Sequence, residues 1–244
     1  LEPAGCKKDN RRHDTPLPVD FVATSEDCST TAEDAERLQS EFNIDFASCV
    51  GALIYLSYTR PDISFAVNKL AKFTRLPGEK HFGYLLHLLR YLRDNSELGL
   101  RYYADVESCP LQKLIVDCGT PFKLVDQPIV TFSDSSWHDN VDNGRSTGGF
   151  SIFFQGGIVD HSSNLPDPVA MSSAESEYNE ACLACMATAH IRMLMEEFLQ
   201  IEIKGVPILL DNKSAIDMGA SYKDTKHTRH ILRRFHYVRE GELS

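Results

Sequence analysis

Three acidic residues stand where their carboxylates would suit a metal ion. Asp134 lies in "FSDSSW", directly after the apolar and β-branched run at 129–132, and Asp211 ends the apolar run "VPILLD". Glu177 lies between them in the chain, in "SSAESEY". Three neighbouring carboxylates raise each other's pKa unless a cation neutralises them. Oxygen ligands at this density suit Mg²⁺, and two such ions about 3.5–4 Å apart favour hydrolysis of a phosphodiester.

An α/β sheet would bring these acids together. If the strands that end at Asp134 and Asp211 are parallel neighbours, both carboxylates emerge at the carboxyl edge of the sheet, where α/β folds bind ligands. Ser172 followed by Glu175 is typical of a capped helix, which would place Glu177 in the first turns of that helix. A reading without metal stays open, because Asp commonly ends strands at turns and caps helices.

The period of the apolar residues changes along the chain. Amphipathic segments predict a helical subdomain, with helices within 46–57, 63–73 and 85–92. After residue 98, short runs predict strands at 98–104, 111–117, 122–126, 128–134 and on both sides of a turn at Gly156–Gly157. A further strand ends at Asp211, and a basic helix closes the chain. Residues 1–20 contain few apolar residues and predict a flexible tail.

Composition limits the class of protein. The chain has 244 residues, 42% of them hydrophobic, and a net charge of −10. Since no run approaches the roughly 18 apolar residues of a membrane span, we expect no membrane partner. Seven cysteines without a secretion signal favour a reducing compartment. The chain starts at Leu1, and we expect it to be a fragment of a longer protein.

A series of motifs resembles a known family. In order, these are "GALIYLSYTRPDISFAVNKLAKF", "KHFGYLLHLLRYLR", "SDSSW", "GRSTGGF", "SSAESEY", "LDNKSAI" and "RHILRRFHYVRE". Together they resemble the end of the Pol polyprotein of copia-type LTR retrotransposons, over roughly residues 45–240. The resemblance implies a thumb-like end of a reverse transcriptase at 21–100. It also implies a ribonuclease H-like domain at 101–244, with a mixed five-stranded sheet and helices.

The resemblance also implies an activity and its partners. The family acids match Asp134, Glu177 and Asp211, which would bind Mg²⁺, with two ions expected and Mn²⁺ as a substitute. The implied reaction is endonucleolytic cleavage of the RNA strand of an RNA/DNA hybrid during reverse transcription. The polymerase region of the same polyprotein would be a further partner. We expect a cytoplasmic location, in the virus-like particle of the element, or a nuclear one.

The last helix both supports the resemblance and departs from it. Segment 226–244 carries five basic and two acidic residues, and we expect the nucleic acid to contact Lys226, Arg229, Arg233 and Arg234. Leu232 takes the position of the family's fourth acid in "RHIL". His230 or His236 would be an auxiliary proton carrier, although a packed or solvated helix face also explains such histidines.

Two other functions compete with cleavage of a hybrid. A catalytically weak or inactive nucleic-acid-binding scaffold would keep the fold, and the missing fourth acid favours this reading. The survival of the three acids argues against it. An integrase-type nuclease would place its helical Glu last in the chain, whereas Glu177 lies between the two aspartates.

Overall fold

The computed structural model of the chain describes residues 12–117, 123–136, 142, 144–164, 170 and 172–220. The chain divides into two compact units, Leu1–Leu100 and Arg101–Ser244. In the first unit the regular elements of the described part are helical, and the second unit contains a sheet. No helix in the described part of the chain has the length and the apolar character needed to cross a membrane.

The described part of the first unit contains four α-helices. Two are capped by side chains: the Thr31 hydroxyl accepts from the N–H of Asp34, and the Asp45 carboxylate accepts from the N–H of Ser48. Their apolar faces form one core that includes Phe46, Leu70 and Phe82. The last three helices lie where the apolar period predicts them, and the first was not predicted. The helices are α1 Ala32–Phe42, α2 Phe46–Ser57, α3 Ser64–Ala71 and α4 Glu79–Asp94, with short 3-10 turns at Ser25–Asp27 and Pro61–Ile63.

Residues 12–17 do not form the flexible tail that the composition predicts. His13 is buried, and its backbone N–H and its Nδ1 both lie 3.0 Å from the Asp94 carboxylate at the end of α4. The side-chain amide of Asn95 donates to the His13 carbonyl at 2.7 Å. Sparse apolar residues misled the prediction here, because polar bonds hold this segment. Residues 1–11 lie outside the described part.

The described elements of the second unit are α5 Pro110–Asp117, β1 Ile129–Ser136, β2 Thr147–Phe154, β3 Gly157–Asn164, α6 Ser173–Leu199, β4 Ile208–Leu209 and α7 Lys213–Ala220, with a 3-10 turn at Val106–Ser108. The strands form a mixed sheet in the order β3-β2-β1-β4. Strands β1 and β2, like β2 and β3, are antiparallel, whereas β1 and β4 are parallel. The predicted α/β class is therefore confirmed, although the described residues contain four strands where five were expected.

Three of the predicted strands are wrong. Segment 111–117 belongs to helix α5, because Pro110 suits the first turn of a helix and Leu111, Leu114 and Ile115 have helical spacing. Residues 98–104 form no strand, although the Tyr103 N–H donates to the Gln155 carbonyl at 3.1 Å. Residues 123–126, the described part of the third segment, lie in and beside a turn.

The hairpin between β2 and β3 turns one residue earlier than predicted. Gln155 and Gly156 both have positive φ, 46° and 76°, the backbone that tight two-residue hairpins require. A Cβ on Gly156 would lie 2.2 Å from Cys109 Sγ. Gly157 already begins β3.

Alternate residues of β1 face opposite sides of the sheet. Val130 and Phe132 pack in a cluster with Ile115 of α5. Ile129 packs in a second cluster with Ile191 of α6. The sheet is thus covered by α5 on one side and by α6 on the other.

Candidate metal centre

The structure brings Asp134, Glu177 and Asp211 together. One carboxylate oxygen from each lies within 4.8 Å of those of the other two. Asp134 lies on β1, Glu177 in the first turns of α6, and Asp211 two residues beyond β4. The two aspartates are exposed and the glutamate is buried, so the cluster has an open side and a closed side.

The register of β1 and β4 explains why the two aspartates meet. Phe132 is aligned with Leu209 in the parallel pair. Asp134 and Asp211 each follow two residues later, so they lie at the same level beyond the aligned pair. Parallel neighbours have their carboxyl ends at one edge of a sheet, as the prediction required.

Polar contacts between β1 and α6 hold Glu177 in place. The Ser172 hydroxyl accepts from the N–H of Glu175 at 3.1 Å, so the predicted cap is present. The hydroxyls of Ser135 and Ser176 are hydrogen-bonded in a buried position next to Glu177. Glu175 thus marks the helix start, as expected, and the three-acid cluster does not include it.

The electrostatics of Glu177 differ from those of an ordinary surface acid. Burial raises the pKa of Glu177 to about 7, and the charges of Asp134 and Asp211 add to this rise. A backbone hydrogen bond from Ser135 acts in the opposite direction. Oε2 of Glu177 is buried and has no hydrogen-bond partner among the described residues. An acceptor without a donor, between two other carboxylates, suits a cation.

The three carboxylates supply the kind of ligand atoms that a hard cation binds. Ionised carboxylates only accept, and Mg²⁺ binds through one or two carboxylates while it keeps several waters. The two exposed aspartates leave one side of the cluster open to water and to a phosphate group. These three residues can therefore hold a divalent ion.

Glu180 is a buried acid that the sequence reasoning missed. It lies one helical turn after Glu177 on α6, and none of its surface is exposed. Burial, and then the charge of Glu177, raise the pKa of Glu180 to about 7. The only signal in the sequence is the spacing of three residues between the two acids, which places them on the same helix face.

Several predicted residues lie outside the described part of the chain. These are the auxiliary candidates His230 and His236, the position of the fourth acid at Leu232, and the nucleic-acid contacts Lys226, Arg229, Arg233 and Arg234. Their assignments stay predictions.

Comparison with known proteins places the chain among transposon sequences. No protein-family model matches it. It is 29% identical over 230 residues to the retrovirus-related Pol polyprotein from transposon TNT 1-94 of Nicotiana tabacum, covering 93% of the chain and 15% of that protein. It is 29% identical over 196 residues to the corresponding polyprotein from transposon RE1 of Arabidopsis thaliana, covering 80% and 12%. The chain thus spans less than a sixth of either polyprotein.

Two further matches are not to transposon polyproteins: one is to a secreted effector protein and the other to a solved structure. Secreted RxLR effector protein 161 of Plasmopara viticola is 34% identical over 137 residues, covering 56% of this chain and 83% of that protein. A crystal structure of LC11-RNase H1 in complex with an RNA/DNA hybrid aligns with 47% of this chain and 76% of that one, at 15% identity and a TM-score of 0.35. The relatives that match over most of the chain confirm the resemblance to the copia-type retrovirus-related Pol polyproteins of transposons.

Proposed function

We propose that this chain carries the ribonuclease H of a retrotransposon Pol polyprotein. The reaction is endonucleolytic hydrolysis of the RNA strand of an RNA/DNA hybrid during reverse transcription. One observation carries the proposal: Asp134, Glu177 and Asp211 each place a carboxylate oxygen within 4.8 Å of the others. Similarity to a transposon Pol polyprotein over most of the chain supports it independently.

Asp134, Glu177 and Asp211 would hold Mg²⁺, as two ions in the proposed mechanism, with Mn²⁺ as a substitute. Such ions, when bound, stabilise the attacking and leaving oxygens of a phosphodiester. Asp134 and Asp211 are exposed, so a phosphate would approach from their side of the cluster. Glu177 lies on the closed side, and the Ser135–Ser176 contact keeps its helix turn against β1.

The nucleic-acid partner is a hybrid duplex. Its A-like shape and its 2′-hydroxyls, rather than its base sequence, would be recognised. Lys226, Arg229, Arg233 and Arg234 remain the proposed phosphate contacts, and His230 or His236 the proposed auxiliary proton carrier. The upstream reverse-transcriptase region is the proposed protein partner, and the proposed location is the cytoplasmic virus-like particle or the nucleus.

A cleavage assay tests the activity. The full chain is incubated with a labelled RNA/DNA hybrid in Mg²⁺, Mn²⁺ or EDTA, and we expect RNA cleavage in either metal and none in EDTA. Asp134→Asn should lower the rate by more than about a hundredfold, since even residues that only support metal ligands matter by 10–100-fold. The matched control is Asp126→Asn, an exposed aspartate just before the opposite end of β1, which should cleave at the parent rate.

The same assay distinguishes a nuclease from a nucleic-acid-binding scaffold without activity. Binding of the hybrid without cleavage in either metal would support a scaffold instead of a nuclease. Equal cleavage by the parent and Asp134→Asn at matched metal concentration would contradict the assignment of the site.

A further inference from the structure

Glu180 presents two buried oxygens that lack hydrogen bonds. Neither Oε1 nor Oε2 has a partner among the described residues, and the residue is fully buried. Its carboxyl lies against Gly148 of β2, where an added Cβ would be 2.1 Å from Oε2 and 2.6 Å from Cδ. Glycine at 148 therefore provides the space that this carboxyl occupies.

Another buried oxygen without a partner among the described residues lies on the same face of the sheet. Gly148 is aligned with Ser135 of β1 and with Asn164 of β3. Residues opposite each other in antiparallel strands share a face, with their Cβ atoms about 4.5–5.5 Å apart. Asn164 thus lies on the same face as Glu180. Its Nδ2 donates to the Ser162 hydroxyl at 3.1 Å, whereas its buried Oδ1 has no partner in the described part of the chain.

Four buried acceptor oxygens lack a donor among the described residues. Oε2 of Glu177, both oxygens of Glu180 and Oδ1 of Asn164 are four acceptors, and no described residue donates to any of them. Protonating one carboxyl supplies a single donor. An unpaired charge in this position is costly. A cation, by contrast, contacts several oxygens at once.

We propose that Glu180, Oδ1 of Asn164 and Oε2 of Glu177 form an inner subsite for a hard divalent cation, next to the three-acid centre. The two carboxylates carry two negative charges, which one divalent ion balances, and all the ligands are oxygen, as Mg²⁺ prefers. Because the subsite shares Glu177, it rests in part on the proposed metal centre.

Metal binding tests the subsite without relying on catalysis. Mn²⁺ is titrated into the full chain, and bound and free ion are distinguished by electron paramagnetic resonance, with circular dichroism as the check on folding. Glu180→Gln keeps the shape and removes the charge. We expect this variant to lose one class of Mn²⁺ site, or to bind it at least about tenfold more weakly. The matched control Glu197→Gln, at an exposed position on the same helix, should bind as the parent does.

The variants separate this inference from the proposed function. If Glu180→Gln binds Mn²⁺ like the parent while Asp134→Asn does not, the inner subsite is wrong and the three-acid centre stands. If Glu180→Gln loses a site that Asp134→Asn retains, the subsite is supported even without nuclease activity. A parent that binds no Mn²⁺ overturns both.

A second variant keeps the test decisive if Glu180→Gln does not fold. Asn164→Ala removes one proposed ligand from a partly exposed position at the end of β3. It should weaken the inner site several-fold, and unchanged binding would overturn the proposal. A higher thermal midpoint of Glu180→Gln with unchanged Mn²⁺ binding would identify Glu180 as a neutral packing group, which also overturns it.

Discussion

Buried carboxylates of the two units differ in their hydrogen bonding. In the helical unit, the partly buried Asp62 carboxylate receives two bonds from Arg60, at 3.0 and 2.9 Å, and one from the Tyr91 hydroxyl at 2.7 Å. Between β1 and α6, Glu177 and Glu180 are buried with oxygens that lack partners among the described residues. Since most buried polar groups are paired, unpaired ones call for an explanation. The first arrangement is the one expected of a stabilising group, and the second fits the proposed binding of a cation.

The largest effect should come from the apolar core of the helical unit. Phe82 is fully buried, stacks on Phe42 at 4.9 Å and meets Phe46 edge-on at 5.2 Å. Phe82→Ala should lower the free energy of unfolding by about 3–5 kcal/mol, measured by urea denaturation. Tyr55→Ala, at an 80% exposed aromatic of the same unit, should change it by less than about 0.5 kcal/mol. Equal effects would contradict the assigned core.

The next largest change in stability should come from Asp62, the hydrogen-bonded carboxylate of the helical unit. Burial raises the pKa of Asp62, but the bonds from Arg60 and Tyr91 outweigh it, so the pKa lies below its usual value. Asp62→Asn should destabilise the chain by about 1.5–3 kcal/mol at neutral pH. Because the folded pKa is depressed, this stabilisation is present above the unfolded pKa of about 3.9 and is lost as the pH falls through the folded value.

An exposed ion pair is the control for Asp62. Asp14 pairs with Arg12 at 3.2 Å, with both side chains more than two-thirds exposed. Asp14→Asn should change stability by less than about 1 kcal/mol, since solvent screens such pairs. If Asp14→Asn lowers the free energy of unfolding as much as Asp62→Asn does, the partly buried hydrogen bonds of Asp62 contribute no more than an exposed ion pair.

A smaller effect should appear at the unsatisfied acids when divalent cations are removed. The folded pKa of Glu177 is raised to about 7, whereas the unfolded value is about 4.3. The stabilising contribution of its proton is thus fully present below about pH 4.3 and is lost as the pH rises through 7. In EDTA, the parent should therefore lose at least about 1.4 kcal/mol between pH 5 and 8 relative to Glu177→Gln.

Comparing EDTA with added Mg²⁺ makes this measurement specific to the metal site. Thermal unfolding of both proteins is followed from pH 5 to 8, and the difference between them removes the contribution of other titrating groups. Saturating Mg²⁺ should reduce the difference, because a cation takes the place of the proton. A difference that is independent of both pH and Mg²⁺ would contradict the raised pKa and the metal site together.

Strand ends were easier to predict than isolated buried acids. Asp134 and Asp211 each follow an apolar run, and a parallel pairing of those runs was enough to bring them together. Segment 111–117 was misread because its apolar residues suit a strand or a helix, and the helix that packs Ile115 with Cys109 and Leu124 is the one the structure adopts. Glu180 was missed because its burial depends on space left by Gly148, which lies 32 positions earlier in the chain.

The smallest effect should come from a hydroxyl pair that is satisfied within the same β1–α6 interface. The hydroxyls of Thr131 and Thr188 are buried and lie 2.7 Å apart. Thr188→Val keeps the shape but leaves the Thr131 hydroxyl without this partner, so we expect a loss of about 1 kcal/mol. The double variant Thr131→Val/Thr188→Val removes both polar groups and should recover most of that loss, because an apolar pair of the same shape leaves no group unsatisfied. Urea denaturation of the parent, both single variants and the double variant gives the coupling energy. If the double variant is as destabilised as the sum of the single ones, the pair does not act as a unit, and the contrast between satisfied and unsatisfied groups at this interface fails.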